Sequence, residues 1–282
     1  MTKYTNEIHD EERAFYGIRN AEISNCRFEG PSDGESALKE ASDIKVSGCR
    51  FLLRYPFWHV ENADISDTVM TDTCRAALWY DKNIQIRDSV LDGIKALREC
   101  TNTEISGSHI NSSEFGWFCH GLKIYDTKMI SEYPFLKSFD MELNNFNLTG
   151  KYSFQYTENV VIRNSILNTK DAFWHSKGVS VYDSTVKGEY LGWYSDSLRL
   201  VRCTIVGTQP LCYTQNLILE DCIMQDCDLS FEKSDVKAYI KGKIDSVKNP
   251  LSGYITADEI GEIIVDDTNS HCEIVFQKPS GA

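Results

Sequence analysis

The sequence predicts an all-β chain wound as a single-stranded right-handed parallel β-helix, a solenoid of about 11–12 coils with ~19-residue repeats. Three observations predict it. An apolar anchor recurs at Ile23, Val46, Ile65, Ile86, Ile105, Ile124, Leu143, Ile162, Val181, Leu200 and Leu219, and every step from Ile86 onward is 19 residues. The positions around the anchor alternate with the period of a strand. Asn, Asp and Gly collect in fixed rows, where a coil must turn.

Each part of the coil follows from its row. Two residues before the anchor stand Ala21, Ile44, Ile84, Leu122 and Val160, so the first strand points alternate residues inward. Five after it stand Phe28, Phe51, Met70, Leu91 and Leu167, a second inward strand. Corners are marked before the first strand by Asp43, Asn62, Asn83 and Asn102, and after it by Asn25, Asp67, Asp88 and Asn164. These residue types tolerate left-handed backbone angles. Next comes a small residue, as at Cys49, Thr68, Ser89 and Ser165, which a one-residue bend turns inward. A leucine-rich repeat would need its own leucine spacing and a helical return arm, and a left-handed β-helix a hexapeptide period; neither is present.

The chain reads as one domain in three stretches. Residues 1–18 form a polar N-terminal cap, 19–244 the β-helix, and 245–282 C-terminal capping strands or a hairpin of the same domain.

The stacked coils, with segments such as IRDS at 86–89, resemble the pectin-lyase-like superfamily. The segment FEGPSDGESALKE, residues 28–40, resembles the opening motif of a bacterial family of β-helix proteins of uncharacterised function. The resemblance covers nearly the whole chain. It implies the fold and leaves the reaction open.

Composition narrows the function classes. A net charge of −13 argues against nucleic acid and against anionic membranes, both of which need a basic face. The first residues contain no apolar run, and no stretch is long and apolar enough to span a bilayer, so a cytoplasmic protein is expected. The ten cysteines lack metal-ligand spacing and read as small reduced core residues. No metal site and no cofactor are expected.

The third strand of each coil varies most, and chemistry is sought there. One row holds every tryptophan: Lys39, Trp58, Trp79, Arg98, Trp117, Leu136, Gln155, Trp174, Trp193. The next reads Glu40, His59, Tyr80, Glu99, Phe118, Lys137, Tyr156, His175, Tyr194, Tyr213, and the preceding one Leu38, Phe57, Leu78, Leu97, Phe135, Phe154, Phe173. Strict alternation leaves two readings. Either the tryptophans face inward, which keeps the charged row outside and exposes the phenylalanines, or they face outward and the phenylalanines fill the core. The first is favoured because the second sends glutamate, lysine and histidine inward.

Both readings make this strand the functional face. Glu40, His59 and Glu99 are the candidate acid/base residues, with Glu40 and His59 on adjacent coils. Lys39, Trp58, Tyr80, Arg98, Trp117 and His175 are the candidate ligand-binding residues. Glu40 and Glu99 lie three coils apart, roughly 14 Å, beyond the reach of a glycosidase pair. The acid and base sets of polygalacturonases and pectate lyases are missing, and Cys119-His120-Gly121 is a weak echo of one of them. The corner row Asp67, Asp88, Asp126 and Asp183 offers oxygens for Ca²⁺ but is explained more simply by turns. The inserted loop carries Asp33, Glu35 and Ser36 and reads as a tight turn or as a loop arranged for binding. The expectation is a binding or interaction protein using the aromatic third-strand face, docking a partner that includes its own copy as a homo-oligomer. The alternative is an intracellular carbohydrate-active enzyme taking an oligosaccharide on the same face.

Overall fold

A computed structural model describes residues 1–30 and 35–276. Asp33 therefore lies outside the described residues. All regular structure among them is β-strand, and the strands pair in parallel, as expected of a parallel β-helix. The chain divides into two compact units, Met1–Glu142 and Leu143–Ala282.

In the first unit the anchor strands stack in register: Ser42–Ser47 on Glu61–Ser66, then Lys82–Arg87, then Thr101–Ser106. The third strands form their own parallel sheet, with Leu78 paired to Phe57 on one side and Leu97 on the other. Coiling begins earlier than expected. Thr2–Thr5 pairs with Ala21–Ser24 and Ile8–His9 with Arg27–Phe28, so much of the stretch assigned to a cap is already a coil.

In the second unit Glu158–Arg163 stacks on Lys177–Tyr182, and Asp235–Lys248 on Ser252–Ile264. The C-terminal stretch is not a hairpin. Glu273–Phe276 pairs with Tyr254–Ala257 in parallel, so the chain continues to coil.

Left-handed residues make the corners. Asn62, Asn83 and Asn102 have φ of 58, 56 and 53°, and Asp67 and Asp88 each 48°. The Asp row forms turns, and among the described residues no three or more His, Cys, Asp or Glu side chains are grouped so as to hold a metal ion. The bend after the first strand takes a backbone N–H out of the ladder, and the small inward residue of the next coil replaces its acceptor. The Thr68 N–H donates to Ser89 Oγ at 3.1 Å, the Ser89 N–H to Ser108 Oγ at 3.1 Å, and Ser89 Oγ donates back to the Arg87 carbonyl at 2.7 Å. This is why Ser and Thr recur in the row: a buried N–H without an acceptor would cost about 1–3 kcal/mol.

The core holds the apolar rows. Phe28 stacks on Phe51 at 4.5 Å and Phe154 on Phe173 at 5.6 Å. Phe57, Leu78, Leu97, Phe135, Phe154 and Phe173 are fully buried, and each contributes about 1.5–3 kcal/mol by leaving water. The favoured orientation of the third strand is thereby corrected: the tryptophans face outward and the phenylalanines inward. The objection to this orientation fails because strict alternation fails. His59, Tyr80, Glu99 and Phe118 have φ between 54 and 61°, as do Tyr156, His175 and Tyr194 at 53 to 55°. A left-handed residue after the tryptophan position turns the charged and polar row outward as well. Two consecutive side chains meet water, and the next residue returns to the core.

One of those returning residues is Asp81, fully buried where other coils place Cys100, Cys119 or Ser138. Its Oδ1 accepts the Val60 N–H at 2.7 Å, while Oδ2 has no partner among the described residues. Burial pushes its carboxyl well above the ordinary 3.8, aided by the Cys100 thiol. Below about pH 3.8 both folded and unfolded chains keep the proton. As pH rises the unfolded carboxyl ionises first, and stability falls until the folded pKa is passed. Asp81→Asn is expected to raise the unfolding free energy by about 1–2 kcal/mol at pH 8 and by less at pH 5. Urea midpoints at the two pH values check this; an equal gap at both contradicts it.

Candidate functional site on the third-strand face

The outward pair of residues on each third strand builds the candidate site, and each unit carries its own ladder. In the first unit the tryptophan row is a column of rings and cations. Lys39 Nζ lies 4.0 Å over the Trp58 ring, and Trp58 stacks on Trp79 at 5.7 Å and 13°. The Arg98 guanidinium sits 5.9 Å from Trp79 and 5.5 Å from both Trp117 and Phe118. The two cations therefore flank the indole pair, where the negative ring faces attract them. Trp117 donates its indole N–H to the Tyr133 carbonyl. The indole N–H of Trp58 is buried without a partner among the described residues.

Beside this column runs the left-handed row. His59 stacks on Tyr80 at 5.0 Å and 15°. Glu99 accepts from Arg98 Nε at 3.1 Å and from the Trp79 indole at 3.4 Å. It also takes the Tyr80 hydroxyl, which raises that phenol above its ordinary 10.0. Glu40 accepts from the Tyr16 hydroxyl at 2.9 Å, which raises the Tyr16 phenol.

The structure thus brings Lys39, Trp58, Arg98 and Trp117 into one column and His59, Tyr80 and Glu99 into the row beside it, both in the first unit. Glu40 stands on the coil next to His59 but is held by Tyr16. His175 belongs to the second unit. There it is stacked between Tyr156 at 5.0 Å and 8° and Tyr194 at 5.1 Å and 10°, and Tyr194 continues to Tyr213 at 5.3 Å. Trp174 and Trp193 lie beside this ladder with unpartnered indole N–H groups among the described residues. Tyr156, Tyr194 and Tyr16 were not picked out as site residues from the sequence. The row spacing already aligned Tyr156 and Tyr194 with His175, whereas nothing in the spacing linked Tyr16 to Glu40.

The stacking decides what the face can do. Rings that lie nearly parallel along the coil axis use their faces on each other. They offer the partner their edges, hydroxyls and imidazole nitrogens, about one set per coil. Tyr80, Phe118, Tyr156 and Tyr194 are 37, 39, 43 and 50% exposed. This is poor geometry for an open platform under a sugar ring and good geometry for a row of polar tips set in an apolar strip.

A fold built on such rows defines a class, the parallel β-solenoid proteins. Within it the chain belongs to the family described as protein of unknown function (DUF3737), whose model matches residues 2–275. A comparison with curated proteins finds no match. Among solved structures, the chain is similar to HetL, a pentapeptide repeat protein of Nostoc sp. strain PCC 7120. That likeness is 15% identical, covers 78% of this chain and 92% of that one, and has a TM-score of 0.33. It is also similar to the tailspike of E. coli bacteriophage HK620 at 10% identity, with coverages of 97% and 70% and a TM-score of 0.36. For the A-module of the mannuronan C-5 epimerase AlgE4 of Azotobacter vinelandii the identity is 10%, the coverages 97% and 77%, and the TM-score 0.25. No helix among the described residues is long and apolar enough to cross a membrane.

Glu99→Gln removes the anion that Tyr80 faces. The Tyr80 phenol should then ionise at lower pH, closer to 10.0. A tyrosine ring-carbon NMR titration of both proteins reads this, and an unmoved Tyr80 curve contradicts the assigned contact.

Proposed function

We propose that the protein is a binding protein whose working surface is the third-strand face, and that it docks its partner through ring edges and polar tips. One observation carries the reading. A corner that only had to turn would use Asn, Asp or Gly, as the corner before the first strand does with Asn62, Asn83 and Asn102. The third-strand corner instead holds Tyr156, His175 and Tyr194 at positive φ. Left-handed geometry costs a non-glycine residue about 1 kcal/mol or more, and the cost falls on exposed side chains that add little to the core. Ring stacking offsets part of it, at about 0.5–1.5 kcal/mol per pair. The outcome is a maintained array of aromatic tips on the surface.

The partner that fits first is a second copy of this chain. The first unit's face carries both signs of charge, with Arg98 on Glu99, Arg54 on Glu35 and Lys95 on Glu114, so two copies meet there without the repulsion expected of an acidic chain. An oligosaccharide lying along the ladder is the second reading, favoured by hydroxyl and imidazole groups recurring once per coil, and a pectin-lyase-like ancestry belongs with it. The catalytic roles of Glu40, His59 and Glu99 belong to that reading too, although Glu40 and Glu99 are each held by neighbouring donors. We place the protein in the cytoplasm because its cysteines, free among the described residues, suit a reducing compartment.

Sedimentation velocity at micromolar concentration tests the first reading. A reversible dimer or larger species is expected, weakened at least about tenfold by the double substitution Tyr80→Ser and Phe118→Ser. A monomer for the native chain sinks self-docking. If such a monomer also retains no oligosaccharide from a glycan panel, the face is not a binding surface for either class.

A further inference from the structure

We propose that the first-strand surface of the Met1–Glu142 unit is a trough for a short extended peptide with free termini. This goes beyond the third-strand reading and uses different residues.

The trough has a volume of about 590 Å³, within the range of small-ligand sites. One wall is the corner row Asp43, Asn62, Asn83 and Asn102; the other, two residues further along each strand, is Lys45, Asp64, Gln85 and Glu104, followed on the next coil by Lys123, and Met1 also lines the trough. Both rows meet solvent, and the buried Ile44, Ala63, Ile84 and Thr103 lie between them in sequence, so a channel runs between the two walls.

The corner row is a directed chain of carboxamides. Asn102 Nδ2 donates to Asn83 Oδ1 at 3.2 Å, Asn83 Nδ2 to Asn62 Oδ1 at 3.0 Å, and Asn62 Nδ2 to Asp43 Oδ1 at 2.9 Å. Every donor runs toward the carboxylate, so the amides polarise one another and the acceptor at the far end is strengthened. That acceptor is Asn102 Oδ1. It receives no donor among the described residues, because the next coil has Gly121 in the row. A Cβ at Gly121 would lie 2.9 Å from this oxygen.

The opposite wall supplies charge. Asp64 is paired with Arg87 at 2.5 Å, but Lys45 and Glu104 make no ion pair among the described residues. Their register runs Lys45, Asp64, Gln85, Glu104 over three coil steps, about 14 Å at the sheet spacing. An extended peptide rising about 3.3–3.4 Å per residue covers that distance with roughly four residues. Its α-ammonium meets Glu104 and the open Asn102 oxygen, and its carboxylate meets Lys45. Between them its amides face the carboxamides of Asn62, Asn83 and Gln85, which both donate and accept.

Tetraalanine is the probe, followed by calorimetry and by amide NMR shifts on the native chain. Saturable binding is expected, weakened at least about tenfold by N-acetylation of the peptide. Lys45→Met should weaken binding of the free acid and leave binding of the C-terminal amide unchanged. Gly121→Asn adds the missing rung. Asparagine tolerates the +68° φ found there, and once the flexible Asn102 carboxamide shifts away from the new Cβ, the added side chain would donate to Asn102. This variant should remain cooperatively folded and lose peptide binding. Glu104→Gln provides a second variant that leaves the backbone alone, and it should weaken binding about tenfold. Absence of saturable binding, equal binding of free and blocked peptides, or native-like binding by both Gly121→Asn and Glu104→Gln overturns the proposal.

Discussion

In-register stacking of one coil on the next is the constraint on which the rest depends. At about 4.8 Å between coils each side chain's nearest neighbours are its own equivalents above and below. A row must therefore tolerate itself: phenylalanine on phenylalanine at Phe28 and Phe51, serine on serine where the Ser89 N–H donates to Ser108 Oγ, carboxamide on carboxamide at Asn62 and Asn83. Each of these is favourable in a column, through ring stacking or through a bond passed along the axis. The third-strand column obeys the same rule with tryptophans, interrupted by Arg98 where a cation fits between indoles.

The coil was legible because its rows repeat. The anchor and the buried rows are apolar on nearly every coil, and the corners carry residues whose chemistry announces a turn. The third strand was not legible, and the reason is local. Left-handed backbone at Tyr80, Glu99 and Phe118 has no signal in residue type, since these residues seldom adopt it. Alternation then forces a false choice between the tryptophan row and the row after it, when both face water. The ends of the chain were less legible for a related reason. Residues 2–9 and 252–276 lack the anchor pattern, yet they pair in parallel like any other coil.

The candidate site was legible in part. The sequence collected Lys39, Trp58, His59, Tyr80, Arg98, Glu99 and Trp117 into adjacent rows, and the structure sets them in two columns side by side, joined where Glu99 accepts from Arg98 and Trp79. It could not show that the rings stack on one another, and that fact moves the face from an open sugar platform to a row of edges and tips. Asp81 escaped attention because its row otherwise holds small neutral residues and no spacing marks the exception.

The central claim is that a left-handed residue at the end of the third strand splits Phe173, Trp174 and His175 between core and surface. Equilibrium unfolding of Phe173→Ala and His175→Ala tests it directly. The account predicts a loss of about 3–5 kcal/mol for Phe173→Ala, a cavity in the packed column. It predicts less than about 1 kcal/mol for His175→Ala, an exposed ring in a surface stack. Equal losses, or a larger loss at His175, would contradict it.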